Sequence, residues 1–519
     1  MVIHEQYYFW KLAADLMIHH DFHLIQVDEK NREIWLEKGY GRKTHIIRLY
    51  HHTFDWANHL KRDIAFVIER MKRIKQMLVG RDITVQNVYI AAFPPVDHWE
   101  DLKGNIQVKD QKNFLIQTYY LDGEARQEEM NRLYQNLGLD VPVIQVPQED
   151  MEIERQVHDL KQQMMFKHEQ FKKETSSIFN YGKPNVTYLL LTVNIFIFFL
   201  LETSGGSTNT LNLINWGAKY NPYILEGEWW RILSSMFLHI GLLHIMMNMF
   251  ALYYLGNAVE RMYGSVKFFM IYFLAGIIGG VASFATNDSV AAGASGAIFG
   301  LFGALLFFGL MNKRVFFRTM GKNILFIIGL NIILGFSVPQ IDNGAHLGGL
   351  VGGFIASAMV QLPKQKAPLV QGSSLVIYLG LLGLLIYFGF SQTFVHHDSR
   401  IHLMIASDYI EAEQYDDAIL ITTYALKRES FENAYFYYVR SLAYMNENKR
   451  NLAIEDLNEA VQIRPSFHEA HYELAGLHQK EGDINLALRH AEEAVTLDPD
   501  NSMYQKLKNE LLKLRDSLQ

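Results

Sequence analysis

The chain has no cysteine among its 519 residues, which removes disulfides, thiol nucleophiles and thiolate metal sites together. It has no surplus of positive charge either. With 48 Lys and Arg against 55 Asp and Glu, the net charge is −7, so no basic face of the kind that phosphate backbones require is expected, and nucleic acid drops out as a partner. The first residues hold His4, Glu5 and Lys11 in place of a basic start and a short apolar segment. No cleavable leader is therefore expected, and the first membrane span should serve as its own signal.

Charge is also missing locally. Between Pro184 and His397, seven stretches contain no Asp, Glu, Lys or Arg: 184–201, 232–259, 268–287, 289–312, 323–341, 343–363 and 367–397. Each is long enough to hold a helix across a bilayer. The flanks are charged and interrupted, so the sequence predicts three parts. Residues 1–178 form a soluble N-terminal domain, 179–391 a membrane core with seven transmembrane helices, and 392–519 a soluble C-terminal domain.

Residues 1–178 read as mixed α/β. Alternation in Phe22–Val27 and the run Thr44–Leu49 predict strands, as do Ile83–Ala92 and Asn113–Tyr120. Helices are predicted over Asn58–Leu78 and Glu124–Leu137, and the charged segment Asp150–Thr175 predicts a solvated helix leading to the membrane. This region carries 11 of the 21 histidines, among them His19, His20 and His23. Two readings stay open: a regulatory divalent-cation site on those three imidazoles, or solvated surface histidines. The passage from helix to strand near Asp21 spoils a four-residue ligand spacing and favours the second.

Lys and Arg concentrate in cytoplasmic connections. Lys172, Lys173 and Lys183 precede the first run, Arg261 and Lys267 follow the second, Lys313, Arg314, Arg318 and Lys322 separate the fourth and fifth, and Lys364 and Lys366 separate the sixth and seventh. The alternate connections around Asp288 and Asp342 carry no Lys or Arg. The expected protein is thus a multi-pass protein of the cell membrane, with the N-terminus cytoplasmic and the C-terminal domain outside.

Beyond the last run a 34-residue period appears. Asn451-Leu452-Ala453, Glu459-Ala460-Val461 and Pro465 recur as Asn485-Leu486-Ala487, Glu493-Ala494-Val495 and Pro499, and an earlier copy keeps Ala406, Tyr409, Ala418 and Ala425. That is the tetratricopeptide signature: three helix pairs plus a closing helix at 501–517, an all-α solenoid. The first copy has Ser430 where the proline would fall. Such arrays bind peptide segments of partner proteins; oligomerisation or spacing is the plainer alternative.

Polar side chains inside a bilayer tend to face a cavity or a partner. Ser295 sits among small residues in Ala292–Gly300 at the mouth of one uncharged run, and His346, in Gly344–Gly349, opens another. Both runs are entered from an outer connection, so a nucleophile and a base share a depth near the outer leaflet. His244 and Asn248 lie four apart on one helical face and can aim donors at a single point, as an oxyanion requires. No Asp or Glu lies in these runs, so a dyad is expected rather than a triad. Gly296, Gly300 and Gly303 on one run, with Gly349 and Gly353 on the other, allow close helix contact. Gly-x-Ser-Gly alone suits packing better than catalysis; with His346, His244 and Asn248 at the matching ends of their runs, catalysis is the better account.

Trp230-Arg231, His239, His244–Asn248, Glu260–Gly264, Gly293-Ala294-Ser295-Gly296 and Ala345–Gly349 occur in this order. In this the chain resembles the rhomboid intramembrane serine proteases over roughly residues 178–391. The resemblance implies a polytopic α-helical core of six helices, here with a seventh. It also implies a Ser295–His346 dyad and an oxyanion site from His244, Asn248 and the Ser295 amide. Structural support falls to Gly293, Gly296, Gly349, Trp230 and Arg231, and catalysis needs no cofactor. Phe299 stands where several relatives have tyrosine, which leaves stacking on His346 but no phenol hydrogen bond. The whole layout, a cytosolic domain ahead of the core and repeats behind it, resembles a subgroup of that family. The expected activity is endoproteolysis of transmembrane proteins in or near spans that unwind easily, with a small residue before the cut. The competing class is a silent scaffold that captures membrane proteins for quality control.

Overall fold

The structure is a computed structural model and describes residues 2–40, 43–74, 82–107, 113–338, 341–363, 365–392, 399–428 and 433–518. The chain divides into two compact units, 1–180 with 311–323 and 181–310 with 324–519.

The first unit is α/β. A six-stranded sheet runs β1 (His23–Asp28), β2 (Glu33–Tyr40), β3 (Lys43–His51), β4 (Asp82–Ile90), β6 (Phe114–Leu121), β5 (Asn105–Gln107). The β3–β4 and β4–β6 pairs are parallel and the others antiparallel. Side chains alternate across it: Ile47 and Leu49 pack with α1 (Val2–Ile18) on one face, while Ile46 packs with α2 (Ala57–Ile74) on the other. The strand β2 escapes the alternation signal because Glu33 and Glu37, though buried, are charged. Glu33 is held by Arg48 of β3 at 2.5 Å, and Arg48 also pairs with Asp63 of α2 at 2.5 Å, so the buried Glu33 and Arg48 each meet an opposite charge. The predicted helix over Asn58–Leu78 is present to Ile74; its remainder lies outside the described residues.

The helix α3 (Arg126–Leu137) joins α1 in the core, and so does α4 (Asp150–Phe179). This corrects the expectation of a solvated helix. Ile153, Val157 and Met164 of α4 are buried against α1. Lys167 donates to the carbonyls of Met17 and Ile18 at 2.6 and 3.1 Å, satisfying oxygens that the end of α1 leaves unpaired. His20 faces Asp15 at 3.4 Å and the Tyr134 ring, His23 lies tilted against the Phe171 ring, and His19 is exposed. Three imidazoles with separate neighbours do not make a donor set, and among the described residues no group of three His, Cys, Asp or Glu is arranged to hold a metal ion.

The second unit begins with α5 (Asn185–Thr203) and three short helices, α6 (Thr210–Asn215), α7 (Asn221–Leu225) and α8 (Arg231–Ser234). Then come α9 (Gly241–Tyr263), α10 (Ser265–Thr286) and α11 (Ser295–Met311). After α12 (Lys313–Thr319), which belongs to the first unit, follow α13 (Gly321–Ser337), α14 (Asn343–Val360) and α15 (Pro368–Ser391). A helix thus occupies each uncharged run. Four of them, α5, α9, α10 and α15, are long and apolar enough to cross a membrane, while α11 and α13 are apolar but 17 residues long. The second run yields its helix only from Gly241 onward. Its first residues turn back instead, with Ser234 Oγ donating to the Gly217 carbonyl at 2.6 Å. Glu260, fully buried, accepts from the amides of Val186 and Thr187 at 2.9 and 2.7 Å, fastening the start of α5 to the end of α9.

The repeats form α16 (Ser399–Glu411) with α17 (Tyr415–Arg428), α18 (Ala434–Asn446) with α19 (Arg450–Ile463), α20 (His468–Glu481) with α21 (Ile484–Leu497), and a closing α22 (Ser502–Leu518). Alanines of the period, Ala406, Ala418, Ala453, Ala460, Ala487 and Ala494, are buried where paired helices touch. Ser430 lies outside the described residues.

Candidate active site

Ser295 is the first residue of α11, where the leading amides of a helix have no internal partner and the dipole is positive. His346 is in the first turn of α14. Glycine lets the two helices meet: a Cβ on Gly349 or Gly353 would run into the carbonyl oxygens of Gly296 and Gly300. One on Gly296 would lie 3.2 Å from the Ala345 carbonyl. The neighbours in sequence of Ser295 and His346 are therefore in contact. One turn into α11, the Phe299 ring stacks on the His346 imidazole, with centroids 4.1 Å apart and planes at 12°.

Residues 287–294, which lead to Ser295, are tied down at several points. Lys219 and Ala291 exchange backbone hydrogen bonds at 2.9 Å. The Lys219 ammonium donates to the carbonyls of Asn287 and Ser289. Full burial pulls this amine down to about 8, against the attraction of Asp342 and Asp288. The Gly293 amide donates to Ser235 O at 2.8 Å, and the Ala294 amide to His239 Nε2 at 3.4 Å. Gly293 has φ +146°, and a Cβ there would meet the His244 ring 3.0 Å from Nε2. Glycine is thus required twice over, for its backbone and for its missing side chain.

The His244 Nδ1 accepts from the Ile240 amide at 3.3 Å, which leaves Nε2, on the Gly293 side, to carry the ring hydrogen. Asn248 is buried and donates to the His244 carbonyl at 3.1 Å. Arg231 is buried and donates to the Ile214 and Ala218 carbonyls at 2.6 and 3.2 Å, with its Nε on Glu228 at 2.6 Å. Its guanidinium also lies over the Tyr223 and Trp230 rings. Trp230 in turn covers Gly217. Both residues brace the 204–231 loop.

A cavity lined by Ser295 reaches back to Lys219, Ser235, Ser283 and Asp342, residues that motif reading did not single out. Asp342 caps α14, accepting from the Ala345 amide at 2.9 Å and from the Ser283 hydroxyl. An Asp immediately before the first turn of an apolar run is a recognisable cap, so that signal was present in the sequence. Lys219 had none, as a lone lysine in a loop reads as solvated.

A Rhomboid domain model matches residues 226–363, and a Tetratricopeptide repeat model matches 434–467 and 468–501. The chain is 34% identical over 474 residues to the rhomboid protease GluP of Bacillus subtilis, spanning 91% of this chain and 92% of that one. The chain belongs to the rhomboid family. It is also 33% identical to the putative rhomboid protease YdcA of Bacillus subtilis over 35% of this chain and 92% of that one. With RHOMBOID-like protein 5 of Arabidopsis thaliana it shares 36% identity, over 31% of this chain and 53% of that one. A rhomboid core followed by tetratricopeptide repeats is thus found by family models, and a rhomboid protease aligns with nearly the whole chain. The protein is a multi-pass intramembrane protease, and its repeats imply protein or peptide partners.

Proposed function

We propose that this rhomboid protease is a serine endopeptidase with Ser295 as nucleophile and His346 as general base, acting on membrane-spanning substrates near the outer face of the cell membrane. The observation that carries the reading is the stack of Phe299 on His346 one turn from Ser295, on two helices that glycines bring into contact. Ser295 Oγ attacks the substrate carbonyl while His346 takes its proton. The tetrahedral anion is met by the Ser295 amide, the His244 Nε2–H and the Asn248 amide. As the C–N bond breaks, His346 returns the proton to the leaving amine, and water then frees the acyl group by the same route in reverse. Packing of α16 and α17 against residues 211–223 and 288 supports a repeat domain on the same side as those connections. Together with the basic connections this favours an odd number of crossings and a cytoplasmic N-terminus. The test is cleavage of a transmembrane substrate by the native chain, Ser295→Ala and His346→Ala in liposomes. Both variants are expected to fold and to lose activity; normal turnover by either would overturn the dyad.

A further inference from the structure

The first helix pair of the repeats is not free at its outer end. An unpaired terminal face of a solenoid needs a polar cap, yet here Ile405, Ala406, Tyr409, Ala418 and Ile421 form one buried cluster with Ile214, Tyr220 and Tyr223 of the loop before α8. Polar groups inside this contact are matched. Tyr223 donates to Asp417 at 2.7 Å and lies 3.0 Å from the Tyr409 hydroxyl.

At its centre is His402, 1% exposed, with Tyr220 and Asp288 at 0% and 2%. His402 Nε2 lies 2.6 Å from Asp288 Oδ2 and Nδ1 lies 2.5 Å from the Tyr220 hydroxyl. A carboxylate only accepts, so Nε2 carries the hydrogen and Nδ1 receives that of Tyr220. Tyr424 of α17 donates to the other oxygen of Asp288 at 2.6 Å. Tyr220 follows Lys219, and Asp288 precedes Ala291 by three residues. These are the two segments that pair through the Lys219–Ala291 bridge. One imidazole of the repeat domain therefore holds together both segments behind Ser295, seven residues beyond Asp288.

We propose that His402 is a positioning residue of the active site, so that the first helix pair of the repeat domain is part of the catalytic unit rather than a tethered adaptor. This rests on Ser295 as the nucleophile. The chain of contact is continuous: His402 fixes Asp288, the bridge fixes Ala291, and Ser235 and His239 fix Gly293 and Ala294. Misplacement of a nucleophile by about 1 Å is enough to cost 100-fold in rate.

The test uses the full chain in liposomes with two readouts: the rate at which a small fluorophosphonate labels Ser295, and kcat and KM for a transmembrane substrate. The label needs no recruitment by the repeats, so it separates positioning from substrate capture. His402→Ala is expected to slow labelling and kcat at least ten-fold with KM little changed. His402→Gln presents an amide donor and an oxygen acceptor and should recover most of the rate. Arg464→Ala, on the Tyr435 hydroxyl in the following repeat, should label like the native chain. If His402→Ala does not fold, the doubly substituted Tyr220→Phe, Tyr424→Phe chain, which keeps the rings, should still slow labelling about three-fold or more. Native labelling rates in the variants, or a loss confined to KM, would overturn the positioning role while leaving the serine reading intact. No labelling of Ser295 in the native chain would overturn both.

Discussion

Phe299 lies flat on His346, 4.1 Å between centroids, so among the described residues the proposed base is held by a ring. A pair of this kind is worth roughly 0.5–1.5 kcal/mol. Phe299→Ala should therefore lower kcat roughly two- to ten-fold, and Phe299→Tyr should act much like the native chain. Steady-state cleavage of a transmembrane substrate measures both. An alanine variant as fast as native would show that the stack does not orient the base.

Asn248 should matter to rate and not to binding. The role proposed for it exists only along the reaction path, so Asn248→Ala is expected to cut kcat on the order of 100-fold with KM nearly unchanged. A change in KM alone would remove it from the anion site.

The contact of α11 with α14 leaves no room for a methyl group. Gly349→Ala would press a Cβ into the Gly296 carbonyl, and overpacking of this kind costs about 1–3 kcal/mol. Thermal unfolding in detergent should shift down and activity should fall. Gly380→Ala on α15, where an added Cβ has no atom within 4 Å beyond its chain neighbours and its own helix backbone, is the matched control and should behave as native.

The proposed orientation is open to chemistry because the native chain offers no thiol. A membrane-impermeant maleimide on intact cells should modify Asp500→Cys and spare Glu29→Cys. The reverse pattern would put the repeats inside with the orientation inverted, and labelling of both positions or of neither would make the number of crossings even.

Acid should loosen the third helix pair of the repeats. Burial, with His471, His478 and Arg489 nearby, lowers His490 to about 4, and its Nδ1 lies 3.0 Å from that of His471. Between the ordinary value of 6.5 and about 4, the unfolded chain binds more protons than the folded one. Stability is then full above pH 6.5 and declines as pH falls through this window. Calorimetry from pH 7.5 to 4.5 should show a falling melting temperature for the repeats, and His490→Gln should flatten it.

Most of the membrane core was legible because a bilayer imposes a length and forbids charge, and both constraints leave marks in the sequence. The period of 34 residues did the same for the repeats. Within the site, Ser295, His346, His244 and Asn248 stand out as polar groups in apolar runs. Less was legible where a charge is buried with a distant partner. Glu33 and Glu37 hide β2, and Ile153, Val157 and Met164 are masked in α4 by the charges around them. Lys219 and His402 carry no local signal at all, since their partners lie far away in sequence and no periodicity connects them.

The distance in sequence between the halves of the His402 clamp also orders events in time. Tyr220 precedes His402 by 182 residues and Asp288 precedes it by 114. At the roughly 5–20 residues per second of synthesis, Asp288 waits on the order of 6–23 s before its imidazole exists. In the proposed orientation the imidazole must then follow the seventh run across the membrane to the side of Asp288. The segment that leads to Ser295 is thus pinned last. With His402 in its proposed role, a nascent copy is an unfinished enzyme for as long as its own apolar segments are still entering the bilayer beside it.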